Sequence, residues 1–302
     1  MTDDYHETVR ILGVIMILIS LPGLYFNISV FSYFLSIKKT SFYILCISKT
    51  ISNSLVLLIY LFYNGPCALF FTIIGSEALD SYMNQAVGYG LYIIGPLTQT
   101  LASINRFLVV WGSPKHVPRY SNRVTVAILV IFWIFGLYCS TLWGFSDSCS
   151  LRVALEPFDW PTPHCDDAEW FFDYFTYLVI FLGLFSNSFN FLVVVRLLFF
   201  AVNSKTLSTE SSKRRQKSTV RLFIQNCLQD WLFVFDTVNV IYIGNTFSKP
   251  APQMLLFVTA IGSNLFIHAA DGFVMYMFHY NSAKGRKVST VTVSPKTSNA
   301  RL

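Results

Sequence analysis

Charge is scarce in this sequence. Asp, Glu, Lys and Arg make up 13% of its 302 residues, about half the share of an ordinary soluble domain. That excludes a disordered chain and an exposed coiled coil, both of which depend on charge. Cysteine is scarce as well, and six residues are too few for a disulfide scaffold. No internal repeat is visible, which leaves duplicated transporter halves without support. No nucleophile–base pair and no set of three or four metal ligands stands out. An enzyme, a cofactor and a nucleic-acid partner are therefore not expected.

What is abundant is apolar surface. Hydrophobic residues reach 54%, Phe alone numbers 29, and the mean hydropathy is +0.52. A membrane helix needs about 20 largely apolar residues. Seven such stretches follow one another, at about 9–35, 41–63, 81–110, 124–145, 170–200, 222–243 and 254–278. The breaks carry turn chemistry or charge, as at Lys38-Lys39-Thr40, Asn64-Gly65-Pro66 and Lys249-Pro250-Ala251-Pro252. The first stretch is of full length without a small-residue cleavage site, so it reads as a retained span. The expectation is an all-α membrane protein, a seven-transmembrane helix bundle embedded in the lipid bilayer. Its parts would be an extracellular N-tail (1–10), the bundle (11–280) and a basic cytoplasmic tail (281–302).

Basic residues orient such a bundle. One alternate set of connecting segments holds Arg10, Arg152 and Lys249; the other holds sixteen Lys and Arg. The N-terminus is thus expected outside and the C-terminus inside. Eleven of the sixteen acids fall on the outer side, which reads as a solvated face or as a mild preference for cationic or neutral ligands.

Polar groups in hydrocarbon are costly and mark function or interhelical bonding. At 100° per residue, Gln85, Tyr89, Tyr92, Pro96, Gln99 and Ser103 share one stripe of the third span. Gln225, Gln229, Asp236 and Asn239 share one on the sixth. The outer members, Gln85, Tyr89, Tyr92, Asp236 and Asn239, are candidate ligand-lining residues. Asn27, Lys49, Asp230 and Asp271 lie at a common depth, about 11–12 Å from the inner helix ends at 1.5 Å per residue. Lys49 needs a partner at that depth, with Asp271 first and Asp230 second. A polar layer of Asn27, Lys49, Asp230, His268 and Asp271 is expected across helices 1, 2, 6 and 7, as a static bridge or as a switch. His268 and Asp271 lack further ligands for a metal. Cys149 and Cys165 lie in the long outer loop, where a disulfide between them is expected, with Cys67 as a competing partner. The only Asn-x-Ser/Thr site, Asn27-Ile28-Ser29, lies within a span, so no glycan is expected. Arg106 closes the third span, and Lys213, Arg214 and Arg215 cluster in the 201–221 loop.

Several stretches together resemble the nematode serpentine chemoreceptors of class x, within the G-protein-coupled receptors. They are 41–48 opening helix 2, Asn105-Arg106-Phe107, and Asp159-Trp160 before Cys165. Gln225-Asn226-Cys227-Leu228-Gln229-Asp230 and His268-Ala269-Ala270-Asp271-Gly272 complete the set. The resemblance implies a plasma-membrane chemosensory receptor, in a sensory-neuron cilium, that couples a small-molecule or peptide ligand to a heterotrimeric G protein. Asn105, Arg106 and Phe107 occupy the position of the wider superfamily's Asp-Arg-Tyr element, and would serve coupling together with Lys213, Arg214 and Arg215. Asn105 stands where that element has its acid, helix 7 has no Asn-Pro-x-x-Tyr, and helix 6 has no central Pro. The competing readings are a transporter or channel, and a receptor-like protein without signalling.

Overall fold

The computed structural model describes residues 2–111, 122–142, 149–156, 158–160, 166–203, 210–240 and 253–288. The chain forms a seven-helix membrane bundle. Its helices are α1 (Thr2–Ser36), α2 (Ser41–Phe70), α3 (Glu77–Trp111), α4 (Asn122–Thr141), α5 (Asp166–Asn203) and α6 (Glu210–Val238). The seventh, α7, is a pair, Gln253–Thr259 and Ile261–Val288, bent by 41°. Five helices are individually long and apolar enough to span a membrane, and the bent pair makes a sixth. Only α6 fails on composition. The reason is visible in its sequence: Gln225, Asn226, Gln229, Asp230 and Asp236 dilute its apolar residues, and all five are buried.

Two boundaries differ from expectation. α1 starts at Thr2, so most of the expected N-tail continues the first helix. α6 starts at Glu210, which places Lys213, Arg214 and Arg215 on a helix and not in a loop. Hydropathy cannot see either extension, because a solvated helical end and a loop have the same polar composition.

α1 packs along α7 and α2, while α3 runs through the middle against α2, α4, α5 and α6. One close crossing joins α3 to α4. A Cβ on Gly90 would sit 2.6 Å from the Gly136 carbonyl, and one on Gly136 would sit 2.7 Å from the Gly90 carbonyl. Bare backbone on both sides lets these helices touch.

Two helices widen into π turns, at Tyr60–Asn64 in α2 and Ala86–Gly90 in α3. Each inserts one residue and so sets the helical phase back by about 100°. The expected single stripe on α3 is therefore two. Tyr92, Pro96, Gln99 and Ser103 keep their common face below the π turn. Gln85 lies above it, out of phase, and its Nε2 donates to Ser81 Oγ one turn back on its own helix, at 2.7 Å. All six side chains are nonetheless buried.

The loop between α4 and α5 carries an unexpected hairpin, β1 (Ala154–Leu155) against β2 (Phe158–Asp159). Phe158 is buried and stacks on Phe257 of α7. The Phe158 backbone N–H donates to Gln253 Oε1 at 2.9 Å, and the Tyr5 hydroxyl donates to the Leu155 carbonyl at 2.7 Å. The hairpin is thus fastened to both the first and the last helix.

Candidate functional site

Lys49 stands in α2 with a side chain 4% exposed, and its Nζ lies 2.8 Å from Asp271 Oδ1 in α7. The two form a buried ion pair. The ammonium also donates to Gln99 Oε1 of α3 at 3.0 Å and sits 5.3 Å from the centre of the Phe233 ring of α6. Gln99 Nε2 in turn donates to the Asn226 carbonyl of α6 at 3.1 Å. A buried lysine tolerates such a place only when its charge is matched and its protons are used.

The other carboxylate oxygen of Asp271 fixes a second chain of contacts. It can only accept, so Asn53 presents its amide nitrogen, at 2.6 Å. The same Nδ2 reaches Asn27 Oδ1 at 3.3 Å, and Asn27 Nδ2 donates to the Gly23 carbonyl of its own helix and the His268 carbonyl of α7. With its nitrogen so engaged, Asn53 turns its Oδ1 towards His268 Nδ1, 2.9 Å away. Nδ1 therefore carries the ring proton. Nε2 is left as a bare acceptor, wholly buried and without a hydrogen-bond partner among the described residues.

This layer brings together Asn27, Lys49, His268 and Asp271 of the expected set. It adds Asn53, which the sequence reading missed, although Asn53 lies four residues after Lys49 and so on the same helical face. Asp230 feels the Lys49 and Arg106 charges but has its hydrogen-bond partners elsewhere. Its Oδ2 accepts from Ser186 Oγ at 2.9 Å and Asn190 Nδ2 at 2.8 Å, both on α5, and Ser186 Oγ meets Ser103 Oγ of α3 at 2.7 Å. Depth along the helix matched; azimuth did not, and Asp230 belongs to a separate cluster of α3, α5 and α6.

Above the layer lies an outer group. The Tyr92 hydroxyl is 3.3 Å from Thr237 Oγ1 and also bonds Asp236. Asp236 accepts from Ser263 Oγ of α7. No Lys, Arg or His pairs with Asp236 among the described residues. The rings of Tyr92, Phe233 and His268 meet edge to face, and Tyr89 and Tyr92 both border Phe175. The Tyr89 hydroxyl, though buried, has no partner among the described residues. Asn239 has a different task. It donates to the Val258 and Thr259 carbonyls at 3.3 and 3.5 Å, where α7 bends, and so serves acceptors that the break exposes.

At the opposite end the Arg106 guanidinium lies over the Phe42 ring, 4.6 Å from its centre. Phe107 stacks on Trp111 and meets Phe189 edge-on. Asn105 faces Leu45 of α2 and Thr125 and Ile128 of α4. Lys213, Arg214 and Arg215 lie on the first turns of α6. Cys149 is disulfide-bonded, whereas Cys67 is free. Cys67 is thus not the partner of Cys149, and Cys165 lies outside the described residues.

A family model for the serpentine type 7TM GPCR chemoreceptor Srx matches residues 17–279. The chain belongs to this Srx family. The match runs from the first helix to the inner part of the seventh, and so takes in the whole polar layer, the outer group and Arg106. No curated protein matches the Srx chain significantly. Membership makes the chain a multi-pass membrane protein of a chemoreceptor family.

Proposed function

We propose that this protein is a chemosensory G-protein-coupled receptor of the plasma membrane, with its N-terminus outside. A small ligand binds in the outer half of the bundle, around Tyr89, Tyr92 and Asp236. The observation that carries this reading is the connected set of contacts from α7 to α6. His268, which borders the outer group, bonds Asn53; Asn53 bonds Asp271; Asp271 holds Lys49; and Lys49 reaches the α6 backbone through Gln99. Helices 2, 3, 6 and 7 are thus joined at one level directly beneath the proposed ligand.

The mechanism is a shift of population. A ligand with higher affinity for one arrangement of these contacts favours that arrangement. A few kcal/mol of differential affinity suffices to move the balance decisively. The inner end then admits the G protein, which Asn105, Arg106 and Phe107 contact together with the basic turns of α6 at Lys213, Arg214 and Arg215.

The test is a ligand panel with a G-protein activation readout in a heterologous cell, with epitope tags on both ends to report topology. Arg106→Ala is expected to abolish activation while ligand binding stays measurable. Full activation by Arg106→Ala would remove the inner-contact assignment.

A further inference from the structure

Three groups around Tyr92 and Phe175 share one deficiency. Asp236 is 2% exposed and has hydroxyl partners but no cation among the described residues. Among the same residues His268 Nε2 meets no donor, and the Tyr89 hydroxyl has no partner. A buried polar atom without a hydrogen-bond partner is costly. Two other buried acids are better matched: Asp271 by Lys49 and Asn53, and Asp230 by Ser186 and Asn190.

We propose that this group is a recognition site for a small organic amine in its protonated form. The proposal rests on reading the outer half as the ligand site and names the ligand's chemical class. An ammonium brings a positive charge for Asp236 and several N–H donors of the kind that His268 Nε2 lacks among the described residues. The surrounding faces of Tyr92, Phe175 and Phe233 suit a cation and the carbon skeleton attached to it. A neutral alcohol supplies one donor and no charge, and leaves Asp236 as it was. Leu151 and Trp160 pack on the same aromatic cluster and so border the bound amine. His268 ties the site to signalling, because the ring that receives the amine is the ring that holds Asn53 and, through it, Asp271.

The experiment uses the full-length receptor in lipid nanodiscs. The probes are 2-phenylethylamine and hexylamine, set against 2-phenylethanol and 1-hexanol, with binding isotherms and unfolding temperature as readouts. The amines are expected to bind at least about tenfold more tightly than the alcohols, as hydrogen bonds to charged groups require. Asp236→Asn keeps the shape and is expected to weaken the amines by about 10–100-fold while leaving the alcohols within about threefold. His268→Asn keeps a donor for Asn53 but removes the Nε2 acceptor, and is expected to cost the amines about tenfold. Should Asp236→Asn fail to fold, His268→Asn decides alone. Equal affinity for amines and alcohols overturns the proposal, as does unchanged amine affinity in the decisive variant or no amine binding at all. Binding of alcohols alone sinks the amine while leaving the outer-half ligand site standing.

Discussion

Asp271 and Asp230 are the same residue on membrane helices, and both are almost entirely buried. Their surroundings differ in kind. Asp271 is matched by a full charge, Lys49, and by an amide from the same helix, α2. Asp230 is met by a hydroxyl and an amide spaced four residues apart on α5, with no ion pair among the described residues. Neutral dipoles are individually weak and replaceable, whereas a buried ion pair fails sharply when one member is removed. We therefore expect the α1–α2–α7 side of the bundle to behave as locked and the α3–α5–α6 side to permit sliding. At Asp230, α6 is joined to α5 by dipoles.

Removing one charge is the hardest test of that contrast. Lys49→Met leaves Asp271 unmatched and is expected to cost about 3–5 kcal/mol, a large part of a typical folding free energy. Surface expression should collapse and thermal inactivation come much earlier. The double variant Lys49→Met/Asp271→Leu removes both charges and is expected to recover most of the loss. If Lys49→Met is expressed and signals normally, Asn53 alone satisfies Asp271, and the distinction between the two sides disappears.

The packing around the locked side offers a second probe. A Cβ on Gly272 would meet Asn27 Nδ2 at 2.2 Å, and that amide is already held by the Gly23 and His268 carbonyls. Gly272→Ala is therefore expected to destabilise by about 1–3 kcal/mol through overpacking, measured as a lower unfolding temperature in detergent. A tolerated alanine would mean that Asn27 can leave the layer without loss, and that the lock is only Lys49, Asp271 and Asn53.

How much of this was readable beforehand depends on the kind of signal. The seven spans were legible because apolar length is a one-dimensional property. Lys49 and its partner Asp271 were legible because a charge at that depth demands an opposite one. Asn53, Ser186, Asn190 and Ser263 were not, since a neutral amide or hydroxyl in a span has many ways to be satisfied, including the carbonyls of its own helix. Asp230 was misplaced because depth can be counted along a chain, while azimuth depends on the rotation of each helix about its axis. Gln85 was misplaced for a related reason. The π turn at Ala86–Gly90 breaks the 100° rule, and nothing in Ala-Val-Gly-Tyr-Gly announces an extra residue per turn. The loop hairpin left no period-2 pattern, because each strand is two residues long.

On the sliding side the expected effects are smaller. Asp230→Asn keeps a carbonyl for Ser186 and Asn190 and is expected to cost about 1 kcal/mol, with receptor reaching the surface. Its functional effect should exceed its effect on stability, because loosening α6 from α5 raises the population of the open arrangement. Higher basal G-protein activation at near-normal expression is the expected signature. Normal basal activity with a large stability loss would show that Asp230 is as locked as Asp271.

Ser186→Ala is the mildest change. Ser186 Oγ bridges Ser103 Oγ and Asp230 Oδ2, so its removal deletes a link between α3 and α6. Interhelical hydrogen bonds of this kind average about 0.6 kcal/mol, and Asn190 remains to serve Asp230. Expression and unfolding temperature should therefore hardly change. Combined with Asp230→Asn, it should add little, because the two substitutions break the same contact. Combined with Gly272→Ala on the far side of the bundle, the two losses should simply add. Strong coupling between Ser186 and Gly272 would mean that the locked and the sliding halves respond as one unit, and that α6 does not move independently of α7.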